Sequence, residues 1–154
     1  MSELKPGDKA PSFKGTDQKG KKVSLSDFEG KNLVLYFYPA DDTPGCTAEA
    51  CNFRDNYTSL TSKGYEVVGV STDSVDSHQQ FREKYDLPFT LLADEDKKIV
   101  EAYGVWGEKN LYGKKYIGTK RTTFVIDGNG IIKHIIKRVD NKNAAGQILK
   151  KENQ

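Results

Sequence analysis

Residues 32–46 read NLVLYFYPADDTPGC, and a change of structure is written inside them. Asn32 to Tyr38 is a continuous apolar, β-prone run, the pattern of a strand covered on both faces. It is the longest apolar run in the chain, and it predicts a central strand. After Pro39, Thr43-Pro44 reads as a helix N-cap followed by proline at the first helical position, with Glu49 near the first turns. The helix is predicted to run to about Ser62 and to stop before Gly64. Within it Ala50, Phe53, Tyr57 and Leu60 recur at helical spacing and predict its buried face.

Working outward, Ser12 to Thr16 and Lys22 to Ser24 flank the polar turn Asp17-Gln18-Lys19-Gly20 and predict an N-terminal hairpin. Ser26 to Phe28 reads as one helical turn. Tyr65 to Ser71 predicts a second strand, and a helix from Ser74 or Asp76 to about Tyr85 stops before Leu87-Pro88. Phe89 to Ala93 reads as a short strand and Lys97 to Tyr103 as a short helix. Gly104 to Gly118, rich in glycine and aromatics, is expected to be a loop. Arg121 to Ile126 and Ile131 to Lys137 read as strands joined by Asp127-Gly128-Asn129-Gly130, a hairpin signal. Lys142 to Lys150 predicts a last helix. The order is that of a thioredoxin-like α/β fold: a mixed central sheet flanked by helices, with an N-terminal β-hairpin. No repeat, low-complexity tract or linker divides residues 1–154, so a single domain is expected.

A chain of 154 residues can bury a core without disulfides or a structural metal. The 24 Lys plus Arg against 22 Asp plus Glu leave +2, which argues against nucleic acid or a membrane as the main partner. The lysines at Lys19 to Lys22, at Lys114-Lys115 and near the C-terminus read as solvated turns and helix faces. The stretch MSELKPGDKAPSF has no apolar run of leader length, and no run approaches the ~18 residues that span a bilayer. A cytoplasmic protein is therefore expected, and two cysteines in a reducing compartment are more often catalytic, metal-binding or inert than permanently bridged.

Those two are Cys46 and Cys51. A zinc site needs about four ligands, and the chain adds only His78 and His134, each expected to be a plain surface or sheet residue. A thioredoxin-type dithiol has two intervening residues, and here there are four, so that motif is absent. Inert core thiols remain open on spacing alone. Local chemistry favours reactivity: Cys46 lies two residues past the proposed helix start, where unpaired N–H groups and the positive end of the macrodipole favour an anionic sulfur. An ordinary thiol is about 3% thiolate at pH 7, so full deprotonation gains roughly 30-fold, about 2 kcal/mol. Enzymes supply at least ~10⁶-fold, about 8 kcal/mol, so other groups must position an electrophile and stabilise its leaving charge. On a regular helix, positions five apart stand about 8.7 Å apart on diverging faces. A disulfide needs about 7 Å or less. The pair can bridge only if the helix unwinds locally.

Pro39, Thr43 and Cys46 together resemble the peroxiredoxin active-site signature: proline, three residues, threonine, two residues, cysteine. Cys51 in the context CTAEAC resembles the PrxQ, or bacterioferritin comigratory, subgroup. GDKAPSF, VWGEKNLYGKKYIG and RTTFVID match further, and the resemblance runs from about Leu4 to Leu149. It implies a thiol-dependent peroxidase for hydrogen peroxide and organic hydroperoxides that needs no metal or bound organic cofactor. By the same resemblance Cys46 is the peroxidatic cysteine, and Cys51 is the resolving cysteine that forms an intramolecular disulfide with it. Thioredoxin or a similar dithiol is the implied reductant, and a monomer the implied state. Thr43 would contact the sulfur and the peroxide, Pro39 would shield the pocket, Arg121 would keep the sulfur anionic and polarise the peroxide, and Glu49 would orient Arg121. Tyr36 and Trp106 read as core aromatics before pocket residues. The competing functions are a protein thiol–disulfide oxidoreductase and a non-enzymatic redox-sensing module.

Overall fold

The computed structural model describes residues 3–152. Seven strands form one sheet in the order β2-β1-β5-β4-β3-β8-β9. The apolar run becomes β3, Asn32–Phe37, an interior strand parallel to β4, Tyr65–Ser71, and antiparallel to β8, Thr122–Ile126. β5, Thr90–Ala93, extends the parallel set. The N-terminal hairpin, β1 Lys14–Thr16 and β2 Lys22–Ser24, closes one edge, and β9, Ile132–Ile136, closes the other.

Side chains alternate across β3 with the period of two that a strand imposes. Val34, Tyr36 and Tyr38 enter one core with Ala50, Phe53, Phe81, Ala145 and Ile148. These come from α1 (Pro44–Asp55), α3 (Val75–Tyr85) and α5 (Ala144–Glu152). Leu33, Leu35 and Phe37 enter the other core with Ala10, Phe13, Ile99 and Val100, the last two from α4, Lys98–Ala102. Both faces are covered, which is why the run carries no polar alternation. Tyr36 pairs across the ladder with Gly69. A Cβ at Gly69 would stand 2.8 Å from the Tyr36 ring, so only glycine leaves room for that side chain.

Two expectations need correction. The predicted helix 44–62 is two helices, because Asn56 (φ −111°, ψ 7°) interrupts it and α2 is Tyr57–Ser62. Asparagine competes for the backbone, and here its side-chain nitrogen donates to the Asn52 carbonyl at 2.8 Å. The expected loop 104–118 is largely a hairpin, β6 Trp106–Leu111 paired with β7 Lys114–Thr119. Tyr112 and Gly113 turn it with φ of 54° and 81°, the primed geometry that hairpins favour. Tyrosine is an unusual residue for that turn, and Tyr112, Tyr116 and Ile117 are exposed. The exposed residues of β7 outnumber its buried ones, and the sequence lacks the alternation of a half-buried strand.

Candidate active site

Cys46 sits in the first turn of α1 and is 1% exposed. Pro44 is the first helical residue, as predicted, and Thr43 before it is extended. The threonine side chain does not cap the helix: its hydroxyl donates to the Ala40 carbonyl at 3.0 Å. Among the described residues no hydrogen bond joins that hydroxyl to the Cys46 sulfur. Pro39 follows β3 and is half-buried where the chain leaves the sheet.

Arg121 arrives from a distant part of the chain. The register Phe37 opposite Thr122 places the residue before β8 beside the point where β3 gives way to the cysteine turn. Its guanidinium forks: one nitrogen donates to the Cys46 sulfur at 3.1 Å, the other to Glu49 Oε1 at 2.6 Å. Glu49 lies one turn after Cys46 on α1 and is fully buried. Burial pushes its carboxyl up to about 7 in spite of the Arg121 charge and hydrogen bond, which pull it down. Burial alone would lower the Arg121 pKa; the Glu49 carboxylate and the Cys46 sulfur together raise it instead. The arginine therefore stays a cation beside the sulfur.

The wall beside the sulfur includes two residues the sequence did not single out for it. A Cβ at Gly45 would stand 2.9 Å from Asn141 Nδ2 and 3.3 Å from an Arg121 nitrogen. Glycine thus admits both side chains to the helix start, and Asn141 joins the site from the segment before α5. Nothing in its polar surroundings marks it in the sequence. Tyr36 is a core residue, stacked at 5.4 Å on Tyr38. Trp106, on β6, packs against the opposite core.

Cys51 is half-buried on the same continuous helix as Cys46, and both are free thiols. The structure therefore brings together Cys46, Glu49 and Arg121, while Cys51 points from a later turn.

His78 departs from expectation. It is neither a surface nor a sheet residue but lies on α3 and is fully buried. Its Nε2 stands 2.9 Å from the Leu92 carbonyl and its Nδ1 2.7 Å from Asp41 Oδ2. A carbonyl only accepts, so Nε2 is the donor to Leu92, and Nδ1 lies at hydrogen-bond distance from the Asp41 carboxylate. Asp41 also accepts from the Tyr38 hydroxyl at 2.6 Å and from Ser77 at 2.7 Å. Asp42, at φ 56°, accepts from Lys84 and Tyr85. The turn before Cys46 is thus pinned to α3. Asp41, Asp73 and His78 offer ligand atoms within 4.8 Å of one another, yet those atoms are engaged in hydrogen bonds, Asp73 Oδ2 with the Asp41 N–H and Ser71. His134, on β9, is a partly exposed sheet residue near Glu152, as expected.

A groove of about 1280 Å³ lies elsewhere, against Phe13, Leu33, Ile126 and Gly130. It contains no cysteine and no residue of the Cys46 cluster.

Comparison with known proteins gives the chain a family. The profile of the AhpC/TSA family matches residues 6–135. The chain is 49% identical over 135 residues to peroxiredoxin Bcp of Escherichia coli, covering 88% of this chain and 86% of that one. A PrxQ structure from Xylella fastidiosa superposes with a TM-score of 0.91 at 32% identity, covering 99% of this chain and 98% of that one. The bacterioferritin comigratory protein of Xanthomonas campestris, described for its alkyl peroxide reduction activity, superposes at 0.84 with 34% identity, covering 90% and 88%.

Proposed function

We propose a residue-level mechanism from one premise: the chain belongs to the AhpC/TSA family and is a peroxiredoxin, a thiol peroxidase. Cys46 is its peroxidatic residue. The sulfur attacks one peroxide oxygen, the O–O bond breaks, and the second oxygen leaves as water or alcohol after taking a proton. Arg121 holds the sulfur as its anion and offers fixed positive charge to the separating oxygens. The observation that carries this reading is the forked contact of Arg121 with Cys46 and buried Glu49. Glu49 fixes the guanidinium in orientation. Thr43, whose hydroxyl donates to the Ala40 carbonyl in the resting site, is assigned the contact with the bound peroxide, and Pro39 with Asn141 limits water at the sulfur.

The Cys46 sulfenic acid then meets the Cys51 thiol after the helix between them unwinds, forming an intramolecular disulfide. A thioredoxin-like dithiol reduces that bridge by exchange. Bridging within one chain needs no second subunit, which supports a monomer, and a compartment rich in dithiols, the cytoplasm, suits the cycle. No helix among the described residues is long and apolar enough to cross a membrane. A protein disulfide as primary substrate fits poorly, because a protein cannot approach a sulfur that is 1% exposed, whereas a peroxide is small enough to do so.

Peroxide consumption with a dithiol reductant tests the assignment. Cys46→Ser abolishes it. Cys51→Ser completes one rapid turnover and stops at a trappable sulfenic acid on Cys46. Full activity in Cys46→Ser contradicts the mechanism.

A further inference from the structure

Bridging Cys46 to Cys51 requires α1 to open, and its two ends are held in different ways. The turn before Cys46 is anchored by the buried Asp41–His78 contact, whose side chains are 4% and 0% exposed. The end beyond Cys51 is held by the buried Phe53 ring, by Arg54, whose Nη1 donates to the Tyr85 carbonyl at 2.8 Å, and, at the immediate neighbour of Cys51, by Asn52. Its Nδ2 donates to the Lys142 carbonyl at 2.9 Å, and its Oδ1 accepts from the Ala145 N–H at 2.9 Å. That N–H belongs to the first turn of α5, which cannot satisfy it internally. Asn52 therefore caps α5 from another helix, using both faces of its amide. Four residues on, α1 already ends at Asn56. Parting the Asn52 contacts frees the residue next to Cys51 from the start of α5, while Phe53 and Arg54 keep the last turn of α1 in place.

Resting on the mechanism above, we propose that Asn52 is the latch of the resolving step: a positioning residue whose two bonds to the start of α5 set how often Cys51 leaves its helical place. The step itself is balanced. The Cys51 sulfur attacks the Cys46 sulfenic sulfur, the S–S bond forms as the S–O bond breaks, and the departing hydroxide takes the Cys51 proton to leave as water. Peroxide supplied the oxidation in the preceding step. A sulfenic acid that waits for Cys51 is exposed to a second peroxide and to sulfinic acid. The strength of the latch thus divides the intermediate between resolution and inactivation.

The test is single-turnover oxidation of the full chain by hydrogen peroxide, quenched by thiol alkylation and read by mass. For Asn52→Ala the disulfide forms roughly three- to tenfold faster than in wild type, as loss of two modest hydrogen bonds implies. Alanine is the better helix former, so weaker local helix propensity cannot produce that gain. The preceding oxidation of Cys46 stays within about twofold, and less sulfinic acid accumulates at high peroxide. Asn52→Asp keeps the acceptor for Ala145, loses the donor to Lys142, and falls between the two. Amide exchange in the reduced variant rises over 51–55 but not in β3, which separates a local latch from general loosening. A wild type that bridges normally with an Asn52→Ala that bridges no faster overturns the latch. A wild type that forms no Cys46–Cys51 bridge overturns the mechanism beneath it.

Discussion

Among single residues, one guanidinium does two things at once: Arg121 holds both the Cys46 sulfur and Glu49. Arg121→Gln removes the fixed charge from the sulfur and is expected to lower the rate of Cys46 oxidation about 10²- to 10³-fold, the usual loss for one preorganised donor. Stopped-flow peroxide consumption measures it, and a loss below tenfold would contradict the role. Lysine cannot form the fork, so Arg121→Lys recovers little. Glu49 adds a pH signature. Its folded pKa, about 7 against an ordinary 4.5, means the folded state holds the proton where the unfolded chain has released it. The folded state binds more protons between those values, so stability falls as pH rises from about 4.5 to about 7, by as much as about 3 kcal/mol. Urea unfolding at a series of pH values should show that decline in wild type and a flatter line in Glu49→Gln.

The residues proposed for catalysis are legible because they sit in contiguous signals: Pro39, Thr43 and Cys46 in one short turn, Arg121 at the start of a patterned strand. Asn141 and His78 are not. Each acts through partners far away in sequence, Asn141 beside Gly45 and His78 with Asp41, and no local spacing encodes such a meeting.

At the scale of elements, α1 carries the central conflict. It must be ordered enough to hold Cys46 against Arg121 and weak enough to open. The turn before it, 39–43, depends on α3 through His78, Ser77, Lys84 and Tyr85. His78→Ala leaves buried Asp41 without a hydrogen-bond partner that stands 2.7 Å away, and leaving a buried polar group unmet costs about 1–3 kcal/mol. Peroxidase activity should fall with it, because the turn that aims Cys46 loses its anchor. Denaturant unfolding together with the Cys46 oxidation rate checks both effects. The sequence predicted most elements from apolar periodicity. It failed at Asn56, where side-chain competition for the backbone ended a helix whose apolar spacing continued, and at β6–β7, where exposure removed the pattern.

For the whole molecule, the two cores on either face of one sheet form without any disulfide. The proposed bridge is therefore not needed by the fold and belongs to the reaction cycle. Closing a loop from Cys46 to Cys51 constrains the unfolded chain by only about 2 kcal/mol. Glu49 lies inside that loop, so contracting it pulls the carboxylate from Arg121, and losing a buried pair costs more than the closure gains. The oxidised protein should melt at least about 3 °C below the dithiol form, which scanning calorimetry of the two forms will show. A disulfide that destabilises its own fold is readily reduced, in keeping with regeneration by an external dithiol.

The most direct test of the account is the sulfur chemistry left after one equivalent of hydrogen peroxide, mapped by mass spectrometry on the wild-type protein under non-reducing conditions. The expected product is a chain lighter by two hydrogens, with Cys46 joined to Cys51 within one molecule. Oxygen added to Cys51 while Cys46 stays a thiol, or a bridge found only between two chains, would contradict it.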